Sequence, residues 1–208
     1  MKKKIAASVA LVMTLCVSAC SLPVGSKNWQ ESDFDLKQGE ENEFTLEHNS
    51  GIMIYDDFAY TFKFDEEDYN EYADTFAMAR GLKAGDSLDD FLNEFRVGKS
   101  NAVWEIVNEE STQILPYHKE TPAEIYEDYS ADEYNNWLDI GFYKDGDRWK
   151  NLSQSELARV WFCDSESHAG DDIVILSVNL DEEGRIICIS LYYFEYGDDW
   201  IIWQDWED

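Results

Sequence analysis

Apolar residues follow two different periods along this chain. Between Glu43 and Phe64 they alternate in short runs, Glu43–Glu47, Ile52–Tyr55 and Phe58–Phe64, parted by the turn formers Asn49-Ser50-Gly51 and Asp56-Asp57. Phe58, Tyr60, Phe62 and Phe64 recur at every second position, the period of a strand with one buried face. An N-terminal β-meander is predicted, and the charged stretch Asp65–Asp74 after it reads as a loop or one helical turn. From Gly81 to Gly98 the period lengthens. Leu88, Phe91, Leu92 and Phe95 fall at i, i+3, i+4 and i+7, with Asp86 or Ser87 as cap, Asp89 and Asp90 in the first turn and Gly98 as the stop. Ala102–Val107 reads as a strand and Ile114–Tyr117 as a short apolar run. Thr121-Pro122 with Glu124 opens a helical segment whose inner face takes Ile125, Tyr129, Tyr134, Trp137 and Leu138, interrupted near Ser130. Lys144-Asp145-Gly146 marks a turn, and Ser153 with Glu156 resembles a capping box before a brief helical turn.

Alternation returns toward the C-terminus. Leu157–Cys163, Asp172–Leu180 and Arg185–Phe194 are strand-like, the last two joined through Asp181-Glu182-Glu183-Gly184. Val174, Leu176, Val178 and Leu180 share one face of their strand, and Ile187, Ile189, Leu191 and Tyr193 share one face of the next. The predicted fold class is therefore α+β, an antiparallel β-meander sheet packed by short amphipathic helices. The tail from Asp198 sets Trp200, Ile201, Ile202, Trp203 and Trp206 among acids, either as a segment sealing the core or as an exposed aromatic patch.

The first residues carry a different message. Lys2, Lys3 and Lys4 precede an apolar run, Ile5–Val17, too short to span a bilayer, which is the pattern of a secretory leader. It ends in Val17-Ser18-Ala19-Cys20, which resembles the lipobox of bacterial lipoproteins; an ordinary leader followed by a chance Cys is the alternative. The resemblance implies that Cys20 is diacylated and becomes the first mature residue. The expected organisation is a signal peptide over 1–19, a lipidated tether over 20–43 and a single α+β domain over 44–208. A flexible tether of that length would reach roughly 25 Å; alternatively Phe34 and Leu36 dock onto the domain. The expected location is the outer face of the cell membrane, or the outer membrane of an organism that has two.

Charge and composition then narrow the possible partners. The chain has 208 residues and a net charge of −29. Removing 1–19 takes three lysines and no acid, leaving 45 acids, 13 bases and a charge of −32 on a portion that keeps every aromatic residue. Such a surface repels phosphate backbones, so no nucleic-acid partner is expected. The aromatic content argues for a packed core rather than disorder.

Cys163 and Cys188 remain after Cys16 and Cys20 are set aside. Outside the cytoplasm they could pair as a disulfide, but in a simple meander they lie two strands apart and out of step, which favours two buried free thiols. A metal site from Cys163 and His168 lacks further ligands.

A second resemblance lies at Thr75–Phe95, TFAMARGLKAGDSLDDFLNEF, followed later by DDIVILSVNLDEEGRIICISLYY. Together these are similar to the helix-plus-meander domains of the β-lactamase inhibitor protein fold and of the small lipoprotein of the outer-membrane barrel-assembly machinery. Gly81 and Gly85 match the turns and Asp86 with Ser87 the cap. Where those domains usually place Gly directly after the helix, this chain has Arg96-Val97 before Gly98. The resemblance implies a protein-binding or scaffold role and carries over no partner.

No catalytic pattern is found. Gly98-Lys99-Ser100 lacks the upstream Gly and strand of a phosphate loop; there is no nucleophile elbow and no His-Glu-x-x-His. His48, His118 and His168 read as surface or satisfied histidines. Asp65–Asp68, Asp171-Asp172 and Asp198-Asp199 could hold calcium weakly, without EF-hand spacing, and a solvated acidic face is the ordinary reading. The expectation is a non-enzymatic envelope lipoprotein without cofactor or metal that binds an envelope or secreted protein. The alternative is a module binding a sugar, a divalent cation or a cationic peptide.

Overall fold

The computed structural model describes residues 29–38, 42–64, 69–73, 76–78, 80–130, 134–161 and 168–197. In chain order its strands are β1 (Leu36–Gln38), β2 (Asn42–Phe44), β3 (Ser50–Ile54), β4 (Ala59–Lys63), β5 (Tyr69–Tyr72), β6 (Phe76–Met78), β7 (Ala102–Val107), β8 (Thr112–Pro116), β9 (Asn135–Asp145), β10 (Arg148–Asn151), β11 (Asp172–Leu180) and β12 (Ile186–Glu195). Its helices are α1 (Leu88–Glu94), α2 (Pro122–Asp128) and α3 (Gln154–Trp161). The architecture is α+β, as the hydrophobic pattern predicts.

Among the described residues nine strands form one antiparallel sheet in the order β5-β4-β3-β12-β11-β9-β7-β8, with β10 paired to β9. The long β9 is shared, its first half with β7 and its second with β10. A smaller sheet, β2-β1-β6, contributes Leu36, Phe76 and Met78 to the main core. That core lies on one face of the large sheet, beneath Val174, Leu176 and Val178 of β11, Ile189 and Leu191 of β12, and Phe91 and Phe95 of α1 and its C-cap. A second cluster covers the opposite face, where Leu157 and Val160 of α3 meet Val103, Ile173, Ile175 and Phe194. Both sides of the central strands are buried.

The capping chemistry is as expected at both predicted helix starts. Ser87 accepts from the Asp90 amide while Asp90 reaches back to the Ser87 amide, and Thr121 with Glu124 does the same for α2. The stop of α1 differs from expectation. Phe95 is the C-cap, Arg96 sits at φ 54°, and the Val97 amide donates to the Leu92 carbonyl. This is a Schellman ending with Arg in the left-handed position where Gly is usual, so the helix ends before Gly98.

Four other segments correct the sequence reading. Leu157–Trp161 is helix rather than strand: the Ser153–Glu156 capping box starts α3, which runs on through Trp161, and the rest of that expected strand lies outside the described residues. Trp137 and Leu138 belong to β9 rather than to a helix, and β5 occupies part of the stretch expected to be loop. A register shift between Asn179 and Leu180 puts Ile186 opposite Leu180, so Ile187 is the bulged residue and is 48% exposed instead of sharing the face of Ile189.

The packed region also begins earlier than residue 44. Trp29, Phe34 and Leu36 are buried, so the docked alternative holds for this part of the expected tether. Trp29 stacks on Phe95 at 5.6 Å and meets Phe142 edge-on at 4.9 Å. Arg80 lies 4.0 Å above the Trp29 ring and bonds Asp33 at 3.1 Å and the Glu94 carboxylate at 3.1 Å. One nearly buried guanidinium thus joins the N-terminal segment to α1.

Candidate functional site

The β3–β4 hairpin sorts its side chains by size. Ala59 joins the main core and Thr61 on the same face is buried, while Tyr60 and Phe62 turn to the opposite face. The aromatic row expected to be the buried face of its strand is partly buried: Phe62 and Phe64 pack on Tyr192 and Phe194 of the cluster beneath α3. Gly51 is directly opposite Phe62 and makes room for its ring: a Cβ there would approach the Phe62 ring within 2.4 Å.

From that arrangement a ladder of rings follows. Tyr55 stacks on Phe58 at 4.4 Å, Tyr60 stands 6.1 Å from Phe62, and Phe62 meets Phe64 edge-on at 5.8 Å. Tyr69 of β5 extends it, 5.9 Å from Tyr60 and 64% exposed. Beside the ladder Asp56, Asp57 and Glu71 are exposed. Among the described residues β5 pairs only with β4 and is the edge strand of the sheet. The sequence from 65 to 74 holds six acids and no base. The result is an aromatic face with an acidic rim that ends in a sheet edge.

A second cluster lies further along the same face, beneath α3. Gly141 on β9 lets the segment leading into α3 approach, since a Cβ there would come within 2.7 Å of Leu152 and 2.9 Å of Leu157. Asp139 is fully buried, and its Oδ2 accepts from the Trp161 indole N–H at 3.0 Å. Register places Asp139 opposite Ser177 of β11, and Ser177 opposite Ser190 of β12. Glu105 of β7 faces the same side and is also buried. The Ser177 hydroxyl lies against Asp139 and the Ser190 hydroxyl against Tyr192, both at the margin of hydrogen-bond geometry. Burial pushes the Asp139 carboxyl up to about 7 against the opposing pull of Ser177 and Trp161. Glu105 is raised as well, by burial first and the Asp139 charge second. Among the described residues neither carboxylate has an ion-pair partner.

The residues singled out by sequence are distributed differently. Cys188 is a buried free thiol, pushed up to about 12 by burial, and so is no nucleophile at neutral pH. Cys163, the other half of the possible disulfide, lies outside the described residues, as do Cys20, the tail from Asp198 and the acids 65–68. His168 is a satisfied, buried histidine, with Nδ1 2.9 Å from Asp171 and Nε2 3.5 Å from Glu156. His48 pairs with Asp172 at 3.2 Å, and Lys144 reaches Asp172 at 3.6 Å. Asp171 and Asp172 are thus engaged by neighbouring side chains rather than left free for calcium. A cleft between Phe34, Asp35, Leu46 and Tyr193 has room for little more than a water molecule.

Sequence reasoning missed Glu105 and Asp139. The signal was their setting, single acids inside the apolar runs AVWEIV and WLDIGF. No helix among the described residues is long and apolar enough to cross a membrane. No known protein family, curated protein or solved structure matches the chain.

Proposed function

We propose that this chain is an exported, lipid-anchored, non-enzymatic interaction module whose aromatic ladder and acidic edge receive a basic, extended segment of an envelope or secreted protein. The observation that carries this reading is the partly buried ring series Tyr55, Phe58, Tyr60, Phe62 and Phe64 that leads to Tyr69, exposed on the edge strand β5. Aromatic side chains supply contact area at modest entropic cost and concentrate at binding surfaces. An edge strand offers backbone hydrogen bonds to an added strand. The surrounding acids select the charge of the partner: Lys or Arg side chains would pair with Asp56, Asp57 and Glu71 and lie over the rings. Acids on an edge strand also deter self-association, which suits a protein held at high local density on a membrane. The leader, the lipobox-like Val17–Cys20 and the similarity of residues 75–95 to envelope scaffold domains support the same reading.

The test is photo-crosslinking in the producing cell. A benzoylphenylalanine residue replacing Tyr69 should yield a discrete adduct with a protein carrying a basic segment, whereas the same probe replacing the exposed, bulged Ile187 should not. Absence of an adduct at position 69, or the same adducts at both positions, would overturn the proposal.

A further inference from the structure

We infer that the sheet face beneath α3 contains a buried cation site, formed by the carboxylates of Glu105 and Asp139 with the hydroxyls of Ser177 and Ser190, suited to a divalent ion of the calcium class. The acids alone would not carry this. The independent observation is the set of three unsatisfied oxygens: Asp139 Oδ1, Ser177 Oγ and Ser190 Oγ complete no hydrogen bond, the two hydroxyls standing at its margin with Asp139 and Tyr192, and their residues are 0%, 2% and 0% exposed. Buried polar atoms without partners are uncommon, and an ion or water is a recognised reason for them.

The placement is regular. Asp139, Ser177 and Ser190 stand directly opposite one another on β9, β11 and β12, all facing the side that α3 covers. Neighbouring strands are about 4.8 Å apart, close to the span between two oxygens on opposite sides of a calcium ion at about 2.3–2.6 Å each. The Trp161 indole holds Oδ2 of Asp139 and leaves Oδ1 without a completed hydrogen bond. Carboxylate and hydroxyl oxygens match hard cations rather than zinc or copper. Two carboxylates without an ion-pair partner among the described residues match a divalent charge. The acidic surface raises the local cation concentration outside. The competing occupant is a proton shared by the carboxylates, with a bridging water.

Thermal unfolding of the purified, chelator-treated full chain separates these possibilities. Calcium should raise the Tm by about 3 °C or more over sodium at matched ionic strength. Asp139→Asn, which keeps the side-chain shape, should abolish that difference, and Ser190→Ala should weaken the apparent calcium affinity roughly tenfold. An equal calcium response in the wild type and Asp139→Asn would assign the effect to surface acids and overturn the site. No response in the wild type would leave the shared proton and overturn it too. Terbium bound to the wild type provides a second readout independent of the folding of any variant. It should show one equivalent of tryptophan-sensitised luminescence, displaced by calcium, because Trp161 touches Asp139. Luminescence that calcium does not displace would contradict the inference.

Discussion

Burying two carboxylates side by side makes stability depend on pH. Asp139 holds its proton to about 7 in the folded chain, against an ordinary value of 3.8. Between those values the unfolded chain has released the proton and the folded chain retains it, so the unfolded state binds fewer protons and stability falls as pH rises. The loss levels off above about 7. Glu105 from β7, raised by burial and by the Asp139 charge, adds to this slope, whereas burial keeps the Cys188 thiol and the Tyr192 phenol protonated throughout it. Asp139→Asn should flatten this contribution and, above neutrality, stabilise the protein by roughly 1–4 kcal/mol. Urea unfolding across a pH series checks it; an unchanged slope in the variant would show that Asp139 is ionised when folded. These two acids were legible only by context. Forty-five acids make any single carboxylate uninformative, whereas an acid between Trp104 and Ile106 or between Leu138 and Ile140 stands where water is excluded.

At the scale of elements, helix caps were legible and strand neighbours were not. Capping uses residues three apart, so Ser87 with Asp90 and Thr121 with Glu124 could be read directly. The same logic would have revealed α3, since Leu157, Val160 and Trp161 keep the i, i+3, i+4 spacing after the Ser153–Glu156 box. β9 was hidden because both faces are buried, which erases alternation. β5 is a strand because β4 offers it an edge, not because its own pattern demands it. Arg96 supplies a local test. Its φ of 54° suits Gly, so Arg96→Gly should stabilise the protein by about 0.5–1 kcal/mol. Chemical denaturation would reveal it, and a loss of stability would mean that the Arg96 side chain contributes more than its backbone costs. In the opposite direction, Arg80→Ala should cost roughly 2–4 kcal/mol by freeing Asp33 and Glu94 and uncovering Trp29. Increased proteolysis ahead of β1 would accompany that loss, and unaltered protection there would argue against Arg80 as the tie between the two segments.

On the scale of the whole molecule, the α+β class followed from counting periods, but the order of strands did not. Placing β12 between β3 and β11 requires a pairing across most of the chain, which no local pattern encodes. The reach of the packed region back to Trp29 was open in the sequence for the same reason: a few aromatic residues in a polar stretch dock only if a receptive surface exists elsewhere. The ladder meets the sequence expectation in part, since Phe62 and Phe64 pack on the second cluster. Its period correctly gave a strand, yet period alone cannot tell which face is the deeper one, and Ala59 with Thr61 took that place. The aromatic face was left half-open, rimmed by acids, and this is the basis of the proposed interaction. The most direct measurement is the affinity of the partner captured at position 69 for the wild type and for Tyr69→Ala, with Tm recorded for both. Because Tyr69 is 64% exposed, its removal should leave the Tm nearly unchanged. The account predicts roughly a tenfold or greater loss of affinity, with binding by the wild type weakening as salt increases; equal affinity of the two proteins would contradict it.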